Sequence, residues 1–183
     1  MRNLNFINYK EDDCDNFTEI LSDLQNEGQK KINSKYFYDE KGSKLFEKIT
    51  KLSDYYPTKK ELEILDKENE EIKNYLPSNA VVIEFGSGSN KKISKLLKII
   101  ENPEEYISID ISKDFLMKNA KELAFNFPDI KVTAVCADFS DTENLSKIVK
   151  NKKSKVGFFP GSTIGNFCPN EAKVLLKKFS IIL

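Results

Sequence analysis

The chain has 183 residues, 39% hydrophobic and 32% charged, enough for one ordinary core under a well-solvated surface and too short for a multi-domain array. Twenty-nine Lys and Arg balance twenty-nine Asp and Glu, so the basic footprint of a protein that lives on nucleic acid or anionic membranes is absent. No histidine is present, which excludes Ser-His-Asp and Cys-His catalysis within this chain and removes the commonest transition-metal ligand.

In chain order, residues 1–30 mix charge and Asn with Phe17, Ile20, Leu21 and Leu24 at helical spacing, which predicts a peripheral helix. Ser34 to Pro57 is dense in aromatics: Tyr36, Phe37, Tyr38, Phe46, Tyr55 and Tyr56. By composition these pack an amino-terminal lobe, residues 1–58, onto a main domain of residues 59–183. Gly42 and Ser43 read as a turn after Asp39, followed by a short helix from Lys44 to Leu52. Thr58 then reads as an N-cap with Glu61 as its capping-box partner, opening a helix to about Tyr75 with Leu62, Leu65, Ile72 and Leu76 inward.

From Asn79 the pattern changes. Short apolar runs at Val81–Phe85, Tyr106–Ile109, Val132–Val135 and Val156–Phe159 alternate with helical periods around 91–100, 113–126, 142–150 and 170–182. Alternating β and α units predict an α/β, Rossmann-like fold: a parallel sheet with helices on both faces and ligands gathered at the carboxyl ends of the strands.

Three features of that edge carry chemistry. The first strand runs into Gly86-Ser87-Gly88, where missing β-carbons let a ligand lie on the backbone; the plainer reading is a tight turn. A dinucleotide fingerprint wants a third glycine at position 91, and Lys91 stands there, which argues against a pyrophosphate. Asp110 ends the second strand, where a carboxylate accepts hydrogen bonds from both ribose hydroxyls of a nucleoside, or caps the helix that follows. Asp138-Phe139 follows the third strand, where an acid meets an adenine amino group and a ring lies along the purine, or both serve solvation and packing. Taken together, the glycine loop and the two acids describe an adenosyl pocket without phosphates, which points to S-adenosylmethionine. Gly161, ending the fourth strand, is open between a backbone contact to that pocket and a turn.

Cys14, Cys136 and Cys168 stand far apart with no metal-ligand spacing, as reduced thiols in a cytosol do. There is no leader-like segment in residues 1–30 and no run of the ~20 apolar residues that span a bilayer. The expectation is a cytoplasmic protein with no membrane, nucleic-acid or metal partner.

The sequence also resembles the histidine-specific S-adenosylmethionine-dependent methyltransferases, a family that includes the enzyme of ergothioneine biosynthesis. The resemblance runs from about residue 33 onward. It rests on Tyr36-Phe37-Tyr38-Asp39, Gly42-Ser43-x-Leu45-Phe46, Tyr55-Tyr56-Pro57-Thr58, Glu84-Phe85-Gly86-Ser87-Gly88 and Phe159-Pro160-Gly161-Ser162-Thr163-Ile164-Gly165-Asn166. It implies methyl transfer to the α-amino group of an amino acid, histidine first. Tyr38, Gly86, Lys92, Asp110 and Asp138-Phe139 match the family's cofactor contacts, and Tyr55 and Asn166 match residues that hold the amino-acid substrate. No residue is assigned as a catalytic acid or base. Ser53 and Lys59 depart from the family pattern, where relatives tend to have proline and arginine.

The family's chains continue with further strands and a lobe that reads the substrate side chain, whereas this sequence stops at Leu183 in the helix after the fourth strand. The expectation is therefore an incomplete sheet whose fourth strand is an edge, with Phe158 uncovered. One reading is an N-methyltransferase completed by a complementary carboxyl-terminal chain. The other is a non-catalytic fragment that binds S-adenosylmethionine, or a partner through that edge.

Overall fold

The computed structural model describes residues 3–10 and 16–183. Cys14 lies outside the described residues. Five parallel strands form one sheet: β1 (Leu4–Asn8), β2 (Val81–Phe85), β3 (Glu105–Asp110), β4 (Lys131–Cys136) and β5 (Lys155–Phe158), in the spatial order β1-β4-β3-β2-β5. The first to fourth predicted strands are β2 to β5, each within about one residue of its apolar run. Helices α5 (Asn90–Ile99), α6 (Lys113–Asn126), α7 (Thr142–Val149) and α8 (Pro169–Ile182) follow them in turn, as the alternating pattern requires.

Both faces of the sheet are covered, which is why its strands read as unbroken hydrophobic runs. Val82, Tyr106, Val132 and Ala134 pack with Ile93, Leu96 and Leu97 of α5 and Leu116 and Leu123 of α6. On the other face Val81, Ile83, Phe85, Ile107 and Ile109 meet Leu145 and Val149 of α7 and Leu175, Phe179 and Ile182 of α8. The Phe85 and Phe179 rings stack at 3.8 Å between centroids.

β1 is a strand the sequence pattern did not predict. It pairs with β4 from Leu4↔Val132 to Asn8↔Cys136, so residues 4–8 belong to the sheet although they precede the helical lobe. Asn3 anchors it: its side-chain amide donates to the carbonyls of Ala124, Phe127 and Ile130 at 3.0, 3.2 and 3.0 Å, satisfying groups at and just beyond the end of α6.

Four further helices precede β2: α1 (Asn16–Gln25) and α2 (Glu40–Ile49) within the expected lobe, α3 (Tyr56–Lys67), which starts in it and runs past residue 58, and α4 (Asn69–Tyr75) beyond it. α1 is the predicted peripheral helix, but its stripe is not buried: Phe17, Leu21 and Leu24 are exposed and Ile20 is half-covered. Three local expectations are corrected. Gly42 lies in the first turn of α2, which Asp39 caps by accepting the Gly42 N–H at 2.6 Å, so the turn and the helix start at Lys44 give way to one longer helix. α3 begins at Tyr56 with Tyr55 at its N-cap, Pro57 in its first turn and no side-chain cap bond, so Thr58 and Glu61 form no capping box. The helix expected to reach Tyr75 breaks at Glu68, where α4 begins; Leu62, Leu65, Ile72 and Leu76 are nevertheless half-buried on the inward side.

Among the described residues, β5 has a strand neighbour on its β2 side alone, as expected for the fourth predicted strand. Phe158, expected to be uncovered, is half-buried against the α5-side core. Among the described residues, no helix is long and apolar enough to cross a membrane.

Candidate functional site

The carboxyl ends of β2, β3 and β4 open onto a crevice of about 210 Å³, roofed by the α2 region. At the end of β2 the chain turns through Gly86, whose φ of +77° is strained for any side chain bearing a β-carbon. The N–H groups of Gly86 and Ser87 both donate to the Ile109 carbonyl, at 3.0 and 2.9 Å, which ties the loop to β3. From the other side, Asn119 of α6 donates its amide to the Gly88 carbonyl at 3.0 Å and Asn90 donates to the Asn119 carbonyl at 2.9 Å. The loop is thus held rigidly from two elements.

Asp110 is the last residue of β3, and Asp138 lies two residues past the end of the neighbouring β4. Each accepts the backbone N–H of the residue two further on, Ser112 and Ser140, at 2.8 Å. Ser112 is the N-cap residue of α6 without using its hydroxyl, so Asp110 does satisfy a backbone group at that helix start. Asp110 remains part-open to the crevice, yet burial of its carboxyl pushes its pKa up to about 7 against the pull of the Ser112 and Ile111 N–H groups. Phe139 lines the crevice and packs edge-on against Phe159 and Phe179, at 5.7 and 6.1 Å, so lining and packing coexist in one ring.

Below the loop lies Glu84, 2% exposed, the last-but-one residue of β2. Its carboxylate accepts the Tyr106 hydroxyl. Burial raises its pKa to about 8, Asp110 adds to the rise, and Tyr106 and the Lys92 charge oppose it. Residue-type reasoning passed over Glu84 as a strand residue; a carboxylate inside an otherwise apolar β-run is the signal that marks it.

Of the residues singled out from sequence, Tyr38, Gly86, Lys92, Asp110, Asp138, Phe139, Gly161 and Asn166 all line this one crevice. Tyr55 does not line it. Its ring meets Phe46 edge-on at 5.8 Å, and Phe46, which does line the crevice, meets Tyr38 at 5.9 Å, so Tyr55 is one ring removed. Burial, with Tyr38 and Glu61 nearby, pushes the Tyr55 phenol above its usual range. Phe46, read from sequence as packing, is part of the wall, as are Thr58, Ser87 and Phe115.

The crevice suits an adenosyl group on three counts. A β-carbon built on Gly88 meets nothing within 4 Å, so there is open space directly over the loop backbone. Ser87 Oγ is buried and, among the described residues, has no hydrogen-bond partner, which leaves a polar group for a ligand to satisfy. Asp110, at the end of β3, and Asp138, just past the neighbouring β4, both line the crevice, two acids available to a nucleoside's sugar and base.

A parallel sheet with this strand order and a glycine loop flanked by two such acids defines a Rossmann-like methyltransferase domain. Residues 16–183 match the family described as histidine-specific methyltransferase, SAM-dependent, and the chain belongs to that family. It is 37% identical over 143 residues to a histidine N-alpha-methyltransferase of Mycolicibacterium smegmatis, covering 76% of this chain and 43% of that protein. It is 33% identical over 154 residues to the protein of that name from Mycobacterium tuberculosis, covering 82% and 46%. With ergothioneine biosynthesis protein 1 of Neurospora crassa the identity is 32% over 171 residues, 91% of this chain and 19% of the relative. The chain spans less than half the length of each of these relatives.

Proposed function

We propose that this chain forms the cofactor-binding part of an S-adenosylmethionine-dependent N-methyltransferase that acts on the α-amino group of an amino acid, histidine by its relatives' names. The observation that carries the proposal is convergence: residues drawn from five separate stretches of sequence, Tyr38, Gly86 with Lys92, Asp110, Asp138-Phe139, and Gly161 with Asn166, line one crevice. S-adenosylmethionine, when bound, supplies a methyl group on a sulfonium that an amine nitrogen can displace in line.

The chain's own task is alignment. Asp110 holds the ribose hydroxyls, Asp138 and Phe139 hold the adenine, and the Gly86–Gly88 backbone lets the nucleoside lie close. Tyr38 adds a further contact to the cofactor, and Asn166, which lines the same crevice, can orient an amino acid's polar head. Holding two reactants at near-attack geometry supplies much of the barrier reduction for a displacement. Phe46, Phe115 and Phe139 are among the crevice's lining, and taking an incoming amine out of water beside such rings favours its neutral form, so an imidazole base is not required in principle.

Calorimetric titration of the folded chain with S-adenosylhomocysteine tests the binding half, with one site per chain expected. No heat at millimolar ligand would overturn the reading.

A complementary carboxyl-terminal polypeptide completes the proposal. Among the described residues β5 pairs on one side only, Val156 and Phe158 are half-exposed, and Val174 and Ile181 of α8 are 58% and 70% exposed. A parallel strand beside β5 and a helix over these residues would cover them. Sedimentation with a fragment matching the remaining half of the mycobacterial relatives tests this, and failure to form a complex would count against it. Sparse, separated thiols, with Cys168 exposed and free, support a cytoplasmic location.

A further inference from the structure

Glu61 was read from sequence as a capping-box partner, and the structure gives its carboxylate quite different work. From the second turn of α3 it reaches two segments that are 31 and 100 residues away. One oxygen, Oε1, accepts the Gly161 N–H at 2.7 Å. The other is ion-paired with Lys92 Nζ on the first turn of α5. Gly161 holds φ at +82°, and a β-carbon there would lie 3.7 Å from Lys92 Nζ, so ammonium and loop sit side by side. Lys92 and Gly161 both line the crevice; Glu61 is not among the lining residues and stands behind them.

We propose that Glu61 is a positioning residue that latches two walls of the cofactor crevice, the Lys92 ammonium and the Gly161 loop, to the amino-terminal lobe. The inference rests on reading the crevice as the cofactor's. Three features set this carboxylate apart from an ordinary surface ion pair. The Lys92 side chain is only 11% exposed and that of Glu61 27%, so solvent screens the pair weakly. Both carboxylate oxygens are engaged, on different elements. Lys92 follows β2 and Gly161 follows β5, which are neighbouring strands, and Glu61 joins these two carboxyl-end segments from a third element, α3. Without Glu61, Lys92 keeps its charge but loses its orientation, and the Gly161 N–H loses its acceptor. Since α3 begins beside Tyr55, the latch also ties the lobe that carries Tyr38, Phe46 and Tyr55 to the cofactor side of the crevice.

The test is a cycle of Glu61→Gln, Lys92→Met and the double variant, read by S-adenosylhomocysteine affinity and by the ¹⁵N–¹H resonance of Gly161. Glu61→Gln keeps the size and an acceptor for Gly161 but loses the charge that holds Lys92. The expected result is about tenfold weaker binding from Glu61→Gln, because Lys92 loses the charge-assisted contact that orients it. It should have less than about twofold further effect in the Lys92→Met background, because it acts through Lys92. The Gly161 amide should move upfield as its charged acceptor is lost, and Glu61→Asp, which keeps the charge on a shorter reach, should recover part of the affinity. Full-strength binding by Glu61→Gln, or an equal loss in both backgrounds, overturns the proposal. If the wild type binds no S-adenosylhomocysteine, the methyltransferase reading fails by itself. The Gly161 resonance and the coupling of Glu61 to Lys92 in melting temperature still decide the latch. Should Lys92→Met fail to fold, the Gly161 resonance in Glu61→Gln decides it, an unmoved peak being refutation.

Discussion

Glu84 makes the stability of this fold fall as pH rises, and the size of the effect follows from its surroundings. The carboxyl is buried at the end of β2, and its pKa is lifted from 4.5 to about 8, chiefly by loss of water. The unfolded chain gives up this proton near 4.5, while the folded chain keeps it to about 8. Between those values the folded state binds more protons, so its stability declines with increasing pH. At about 1.4 kcal/mol per pH unit, tapering as each carboxyl reaches its own pKa, Glu84 should withdraw about 3.5 kcal/mol between pH 5 and pH 8. Asp110, lifted to about 7, adds a decline of the same sign at lower pH, so wild type alone does not isolate either group. Glu84→Gln does isolate it, because the amide has the same shape, keeps an oxygen to accept the Tyr106 hydroxyl, and does not titrate. Urea unfolding followed by circular dichroism at pH 5, 6, 7 and 8 should show the variant gaining on wild type by several kcal/mol across the series. Parallel profiles would refute the reasoning, since they would mean that Glu84 is solvated or already ionised in the folded protein.

Replacing Asp110 by Ala should weaken S-adenosylhomocysteine binding by about 1.5–3 kcal/mol, the range for hydrogen bonds to a charged group, and unchanged calorimetric affinity would remove Asp110 from the site. Because the Asp110 carboxyl is mostly protonated below about 7, wild-type affinity should rise about tenfold from pH 6 to pH 8 and the Asp110→Ala profile should be flatter; identical slopes would contradict the assignment. Gly42→Ala should lower the melting temperature by at least several degrees, since the added carbon would lie 1.8 Å from the Phe37 carbonyl oxygen and the α2 start must shift; a melting point within 1 °C of wild type would show that it moves freely.

The sheet was legible in the sequence because its central strands are covered on both faces. Val81 to Phe85 has one set of side chains toward α7 and α8 and the other toward α5 and α6, so Glu84 alone interrupts the apolar run and its ends are sharp. Asp110 and Asp138 were legible for the same reason, as the first polar groups after a buried strand. β1 was not. Leu4–Asn8 lies on an edge, is half-exposed, and carries Asn at both positions 5 and 8, so its five residues show neither period clearly. What makes it a strand is the open edge of β4 and the three carbonyls that Asn3 satisfies, partners that lie more than a hundred residues away.

The same distinction explains the site. The pattern Thr58-x-x-Glu61 is a sound local signal for a capping box, worth about 1 kcal/mol where it forms. Here Pro57 sits inside the first turn, the helix opens two residues before Thr58, and the box has no helix start to cap. Glu61 is thereby free for a cation and an amide that become neighbours only when the lobe closes over the sheet. A charge-assisted pair of contacts at a half-buried position outweighs one exposed cap, roughly 1.5–3 kcal/mol for each hydrogen bond to a charged group against about 1. Thr58, relieved of capping, lines the crevice instead. Tyr55 shows the converse: the motif around it placed it in the site, and the structure sets it behind Phe46, where its phenol is within reach of Tyr38 and Glu61 electrostatically but not of the crevice wall. Phe46 thus lies between Tyr55 and the crevice. Phe46→Ala should therefore open the crevice to Tyr55 while loosening the ring stack that seats α2. That change is visible as new solvent exposure of a tyrosine in ultraviolet difference spectra, and an unchanged spectrum would mean that the lobe, not the ring, screens it.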